Sequence, residues 1–249
     1  MAINLASLTR NSPKAPRIII HGDPGTGKTT FAACAPKPVI IQTEDGLGNL
    51  DATAFPLATS FQDVLDAVTS LYAEEHEFKT CVVDSLDWLE PLIWQHVCQT
   101  HGKESIEAFG YGKGYVEALS VWRQFFDGIT ALRDSKGMTI IMTAHSEQRR
   151  VEDPMLPAFD THDLKLHKRA AALAEEFADV ILFAQMQTNT VTEDAGFNNK
   201  RTRAVTTGQR IMHTVGQPAF LAKNRYSLPS PLPLAWDAFA DAMGFGATN

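Results

Sequence analysis

Three cysteines, Cys34, Cys81 and Cys98, are too few for a disulfide scaffold, and no Cys-x-x-Cys pair offers the spacing of a structural zinc site. A reducing compartment is expected. No stretch approaches the roughly 20 consecutive apolar residues needed to cross a bilayer. The opening MAINLASLTRNSPK lacks the basic-then-apolar order of a secretion signal. A cytoplasmic protein without membrane partners is therefore expected. Positive charge is scarce too. Lys and Arg number 22 against 29 Asp and Glu, a net charge of −7. No global field draws such a chain to nucleic acid, and any contact of that kind must come from local basic patches. No repeat period and no low-complexity tract is visible, which argues against repeat architectures and disordered tails.

What is present is the composition of a globular protein, 44% hydrophobic and 20% charged over 249 residues. Residues 1–16, small and polar with Pro13 and Pro16, read as an arm, and 17–249 as one domain. The run Arg17 to His21 reads as a buried strand, Lys28 to Ala35 as a helix, and Val39 to Gln42 as a second strand. Phe61, Val64, Leu65, Val68, Leu71 and Tyr72 fall at helical spacing. Thr80 to Asp84 is a strand, helices follow around Trp88 to Cys98 and Tyr115 to Asp134, and Met138 to Thr143 is a strand again. A helix from Lys168 to Phe177 and a strand from Asp179 to Ala184 continue the alternation. The fold class is α/β, with a mostly parallel central sheet flanked by helices. Beyond residue 185 a β-hairpin extension is expected, turning at Gly196 to Asn199, and a terminal helix runs from Leu234 to Met243.

The segment Gly22-Asp23-Pro24-Gly25-Thr26-Gly27-Lys28-Thr29 matches G-x-x-x-x-G-K-[ST] between a predicted strand and a predicted helix. That context identifies a P-loop. Its glycines let successive N–H groups turn toward phosphate oxygens at a helix N-terminus. With Thr30, this segment is the expected cradle for ATP. Lys28 serves the β- and γ-phosphates, and Thr29 supplies a hydroxyl to Mg²⁺. Asp84, closing the apolar run Cys81-Val82-Val83, is the expected second Mg²⁺ residue; a helix cap is the alternative. Residue 85 is Ser, so a water-activating carboxylate must come from elsewhere, and Glu44 after the second strand is the supplier unless it is a solvated turn residue.

A glutamate after the second strand, Asp-Ser at 84–85 and a polar pair ending a later strand together resemble the RecA/RadA class of P-loop ATPases over about residues 17 to 228. More narrowly, Gly22 to Thr29, Val83-Asp84-Ser85, Thr143-Ala144-His145 and Ala222 to Pro229 resemble the phage ATP-binding proteins of the Sak-four single-strand annealing group. The resemblance implies a RecA-like fold and His145 as a sensor of the γ-phosphate. It also implies Lys223 and Arg225 as basic residues acting on a neighbouring subunit's nucleotide, hence self-association. Single-stranded DNA is the implied partner, with a phage or host single-strand binding protein beside it, in a bacterial cytoplasm.

Local basic groups on the acidic chain are Arg149 and Arg150 in a loop after His145, Lys168 and Arg169, and Lys200 and Arg201 with Arg203 and Arg210. These are the expected DNA contacts, with Phe159 and Phe197 as stacking faces. A mixed-charge solvated loop is the competing reading, because Glu147, Glu152, Asp153, Asp160 and Asp163 lie among them. Three other functions stay open. A small-molecule kinase needs an arginine-bearing lid, for which only Arg149-Arg150 is on offer. A GTPase is disfavoured because Asn199-Lys200-Arg201-Thr202 lacks the aspartate of the guanine-reading pattern. A nucleotide-dependent scaffold or helicase loader leaves no motif to find.

Overall fold

The computed structural model describes the chain except residues 1–3, 5–7, 9, 11, 153, 155, 156, 195–199 and 246–249, and describes the backbone alone at 189–194 and 200–207. In chain order the elements are β1 (Arg17–Gly22), α1 (Lys28–Ala33), β2 (Pro38–Gln42), α2 (Phe61–Ala73), β3 (Thr80–Asp84) and α3 (Leu86–Thr100). There follow α4 (Lys113–Lys136), β4 (Thr139–Val151), β5 (Phe159–Leu164), α5 (Lys168–Phe177), β6 (Val180–Asp194) and β7 (Lys200–His213). Two short strands, β8 (Lys223–Asn224) and β9 (Leu232–Pro233), precede α6 (Trp236–Met243).

One sheet holds these strands in the order β2-β3-β4-β1-β6-β7-β9, with β5 on β4 and β8 on β6. The five strands from β2 to β6 are parallel, and β5, β7, β8 and β9 pair antiparallel. The reason is written in the runs Ile18-Ile19-Ile20, Val39-Ile40-Ile41 and Cys81-Val82-Val83, which are buried on both faces as parallel strands require. Alternate residues serve two cores. Ile19, Ile41, Val83 and Met142 pack with α2 to α5, whereas Ile18, Ile20, Ile40, Val82 and Ile141 pack with α1 and α6. Each such buried side chain is worth about 1.5–3 kcal/mol. The three-layer α/β architecture expected from the sequence is therefore present.

Several boundaries differ. α2 keeps Phe61, Val64, Val68 and Leu71 in the core but leaves Tyr72 exposed. A ring that ends in a hydroxyl tolerates that edge of the apolar stripe. The loop expected after His145 is strand. β4 runs on through Ser146 to Val151 and pairs with β5, Val151 facing Phe159. Ser146-Glu147-Gln148-Arg149-Arg150 carries no apolar alternation, so sequence periodicity gives no sign of this ladder. The hairpin extension exists as β6 against β7 from Phe183–His213 out to Asp194–Lys200. Its expected turn at 196–199, with Phe197, lies outside the described residues, as does Asp153.

Candidate functional site

Four neighbouring strand ends build the site. Register places Gly22 of β1 beside His145 of β4, Val83 beside Met142, and Gln42 beside Asp84. Because β4 lies between β1 and β3, Thr143 and His145 stand between the P-loop and Asp84. This is the crevice at the carboxyl ends of parallel strands where α/β proteins bind ligands.

The P-loop leaves β1 at Gly22, where β1 and β6 approach so closely that a Cβ would lie 2.2 Å from the Ala184 carbonyl oxygen. It enters α1 through Gly27, whose φ of 103° suits only glycine. No side chain caps α1 and no acid occupies its first turn, so its N–H groups are left to a ligand. The Lys28 ammonium is buried and donates to the carbonyls of Gly22 and Asp23, each at 3.0 Å, which leaves its third proton for an anion. Burial lowers its pKa, against the opposing pull of Asp87, Asp84, Glu44 and Asp23.

Asp84 accepts from Thr29 Oγ1 at 3.0 Å on one carboxylate oxygen and from Thr143 Oγ1 on the other. It is not the helix cap; that position belongs to Ser85. Thr29 and Asp84 thus present hard oxygen atoms side by side. No group of three or more His, Cys, Asp or Glu able to hold a metal occurs among the described residues. Such a pair fits Mg²⁺, which takes one or two protein oxygens and completes its octahedron with phosphate and water, and it does not fit a tighter all-protein cage.

Glu44 is tethered at its backbone, where the N–H groups of Thr43 and Glu44 donate to the Asp84 carbonyl at 2.8 and 3.2 Å. Ser85 Oγ lies 3.2 Å from Glu44 Oε2 and 2.9 Å from Asp87 Oδ1, and its single proton serves one of them at a time. Asp87 joins this group to His145, accepting from its backbone N–H at 2.9 Å and meeting ring Nδ1 at 2.8 Å. Burial pushes the Asp87 pKa up, but the His145 and Ser85 bonds win and hold it below the ordinary carboxylate range. No sequence motif marks Asp87; its place in the first turn of α3 is the only hint.

A cavity of about 330 Å³ collects Lys28, Thr29, Glu44, Asp84, Thr143 and His145. Arg210, read from the sequence as part of a basic hairpin, also lines it. Lys223 and Arg225 do not. Lys223 sits opposite Ile181, which faces Ile19, three residues or about 10 Å along the strand from Gly22. There Lys223 donates to the Glu175 carbonyl at 2.6 Å and Arg225 meets Asp179 at 3.1 Å. Of the expected DNA contacts, Arg149 is consumed internally by Glu147, Asp163 and the carbonyls of Leu164 and Leu166. Arg150 is exposed, 3.8 Å from Asp160, and Lys168 and Arg169 are exposed at the start of α5. The side chains of Lys200, Arg201 and Arg203 lie outside the described residues.

No helix among the described residues is long and apolar enough to cross a membrane. No individual curated protein matches the chain significantly. The family described as AAA domain matches residues 14–226, a span that holds the P-loop and all four strand ends. With a P-loop, an acid-bearing third strand and a parallel sheet in that order, the chain belongs to the AAA domain family of P-loop nucleotide-binding proteins.

Proposed function

We propose that the chain is a Mg²⁺-dependent ATPase of RecA/RadA type, of the phage single-strand annealing kind, that couples nucleotide to single-stranded DNA within an oligomer. The observation that carries this reading is the row of close contacts from Glu44 to Ser85, whose proton serves Glu44 or Asp87, and on from Asp87 to His145, because it links the expected water-activating carboxylate to the root of the β4–β5 hairpin. His21, a buried residue of β1 just before the P-loop, touches the same hairpin root through Ser146 Oγ at 2.9 Å.

The chemistry asked of these residues is in-line attack of water on the γ-phosphorus with departure of ADP. Glu44 orients the water and takes its proton. Lys28 and the P-loop N–H groups hold phosphate oxygens and neutralise their charge. Thr29 and Asp84 would hold Mg²⁺, which when bound supplies further charge neutralisation across the phosphates. His145 senses the γ-phosphate and Asp87 fixes its ring. Lys223 and Arg225, remote from their own P-loop, act on the nucleotide of a neighbour packed head to tail.

Support for a polyanionic partner comes from the same end of the sheet. Both long hairpins, β4–β5 and β6–β7, continue past the level of Gly22. Near them, Lys168 and Arg169 open α5 with no acid in its first turn. Two cations at the positive end of a helix repel its dipole, a cost that an anionic ligand offsets.

The test is ATP hydrolysis by the purified chain at fixed low salt, alone, with single-stranded DNA and with duplex. Stimulation by the single strand alone is expected. ATP binding without stimulation by either DNA would favour a scaffold or loader, and phosphoryl transfer to a small molecule would favour a kinase.

A further inference from the structure

Arg210 has no part in the scheme above, yet its guanidinium meets the P-loop, for a Cβ built on Gly27 would lie 2.9 Å from Arg210 Nη1. It lines the phosphate cavity and also a second, more apolar cleft of about 190 Å³ bounded by Phe31, Cys34, Leu234 and Trp236. The two hollows share Gly27, Thr30 and Arg210.

The fold has three devices that put it there. The β6–β7 register shifts between Met186 and Thr188, immediately after the Met186–Arg210 pair, and Gly208 adopts a φ of 80° two residues before Arg210. Such irregularities bend a strand and redirect its side chains. The Arg210 carbonyl accepts from Leu234 N–H at 2.9 Å, which anchors β7 to the approach of α6. Trp236 and Phe239 of α6 then pack on Phe31 of α1, with ring centroids 5.7 and 5.9 Å apart. Arg210 is thereby fixed to the helix that begins with Lys28, Thr29 and Thr30.

Among the described residues no ion pair or side-chain hydrogen bond engages the guanidinium. The cavity needs it: Lys28 faces Asp84 and Glu44, with Asp23 and Asp87 near enough to act on its ammonium. A triphosphate entering beside so many carboxylates calls for more positive charge than one lysine gives.

On the nucleotide reading above, we propose that Arg210 binds the α- and β-phosphates in cis. The γ-phosphate lies at the Lys28, Asp84 and Glu44 end of the cavity, the opposite end holds Gly27, Thr30 and Arg210, and the sugar and base pass over the adjoining cleft. A planar guanidinium suits that task, because it offers paired N–H donors to phosphate oxygens.

The experiment is calorimetric titration of ATP and of ADP, each with Mg²⁺, onto wild type, Arg210→Ala, Arg210→Lys and Lys28→Ala. Arg210→Ala should raise both dissociation constants about tenfold, with partial recovery in Arg210→Lys. The ligand-free melting temperature should not move, since the side chain is exposed. Unchanged constants for both nucleotides would overturn the role of Arg210 and leave the nucleotide reading intact. A loss for ATP alone would overturn the α/β placement. Absence of binding by the wild type would overturn the nucleotide reading itself, and this inference with it. Mixing Arg210→Ala with Lys28→Ala subunits separates cis from trans: tight binding restored in the mixture means that Arg210 acts across an interface, and no restoration is expected.

Discussion

Asp87 grips His145 at two points, the backbone N–H at 2.9 Å and ring Nδ1 at 2.8 Å. An ionised carboxylate only accepts, so Nδ1 carries the proton and Nε2 is the nitrogen left for a ligand. Asn in place of Asp87 brings an amide that donates as readily as it accepts, and the ring loses its enforced tautomer. Asp87→Asn should cut turnover on the order of tenfold or more while nucleotide affinity stays within about twofold. Steady-state kinetics beside a binding titration reads the split; undiminished turnover would remove His145 from the mechanism.

Glu44 and Lys28 should fail differently. Glu44→Gln keeps the shape and the Ser85 contact but cannot take a proton, so hydrolysis should fall by about 10²–10⁴ with binding retained. Lys28→Ala removes the buried ammonium that holds Gly22 and Asp23, and binding itself should be lost. Equal binding losses in the two variants would mean that Glu44 is a phosphate-site residue rather than the base.

The two variants also mark how far the sequence could be read. The P-loop, Asp84 and Glu44 were legible because phosphate and metal chemistry fixes both residue type and position at strand ends. The parallel core was legible because strands buried on both faces are nearly continuous β-branched runs. The β4 extension was not, because Ser146 to Arg150 owes its strand to a partner 10 to 18 residues away. Arg210 does lie in the hairpin, as the sequence indicates, but its approach to the P-loop was not legible for a similar reason. Only the β7 irregularity and the packing of α6 on Phe31 bring it over Gly27.

Arg225 is 53% exposed at its side chain and shares Asp179 with Arg17, which remains bound to both carboxylate oxygens. Its removal should therefore cost less than about 1 kcal/mol of stability. If it completes a neighbour's site, Arg225→Ala should lose hydrolysis far more than binding. Denaturation curves and kinetics on one preparation check both halves, and parallel loss of binding and turnover would argue against action on a neighbour.

His21 and Glu90 pull stability in opposite directions with pH. His21 is wholly buried, which lowers its pKa from 6.5 to about 4 although the Leu221 carbonyl partly opposes this. The unfolded chain takes up a proton there below about pH 6.5 while the native one does not, so stability falls as pH drops from 6.5 toward 4. Burial raises Glu90 from 4.5 to about 7, against the His167 N–H that donates to both its oxygens. The native state then holds a proton that the unfolded chain releases, so this contribution is full below about pH 4.5 and fades as pH rises to 7. Each is worth about 3 kcal/mol across its window. Chemical denaturation at several pH values should show the wild-type advantage over His21→Gln growing with pH and that over Glu90→Gln shrinking. A pH-independent difference in either variant would refute the assignment for that residue.

Arg149 and Arg150 are adjacent in sequence and should behave oppositely. Truncating Arg149 leaves the Leu164 and Leu166 carbonyls, the latter 2.5 Å from Nη2, without that donor and should cost about 2–3 kcal/mol. Arg150 is 64% exposed at its side chain, with only Asp160 at 3.8 Å, and should cost about 0.5 kcal/mol at most. If single-stranded DNA lies across this end of the sheet, Arg150→Ala should weaken its binding and flatten the dependence of log affinity on log salt by roughly 0.7, with Lys168→Ala and Arg169→Ala each doing the same. Fluorescence anisotropy over a salt series measures the slope. An unchanged slope in all three variants would remove these residues from the DNA interface, because a cation that releases no counterions on binding makes no phosphate contact.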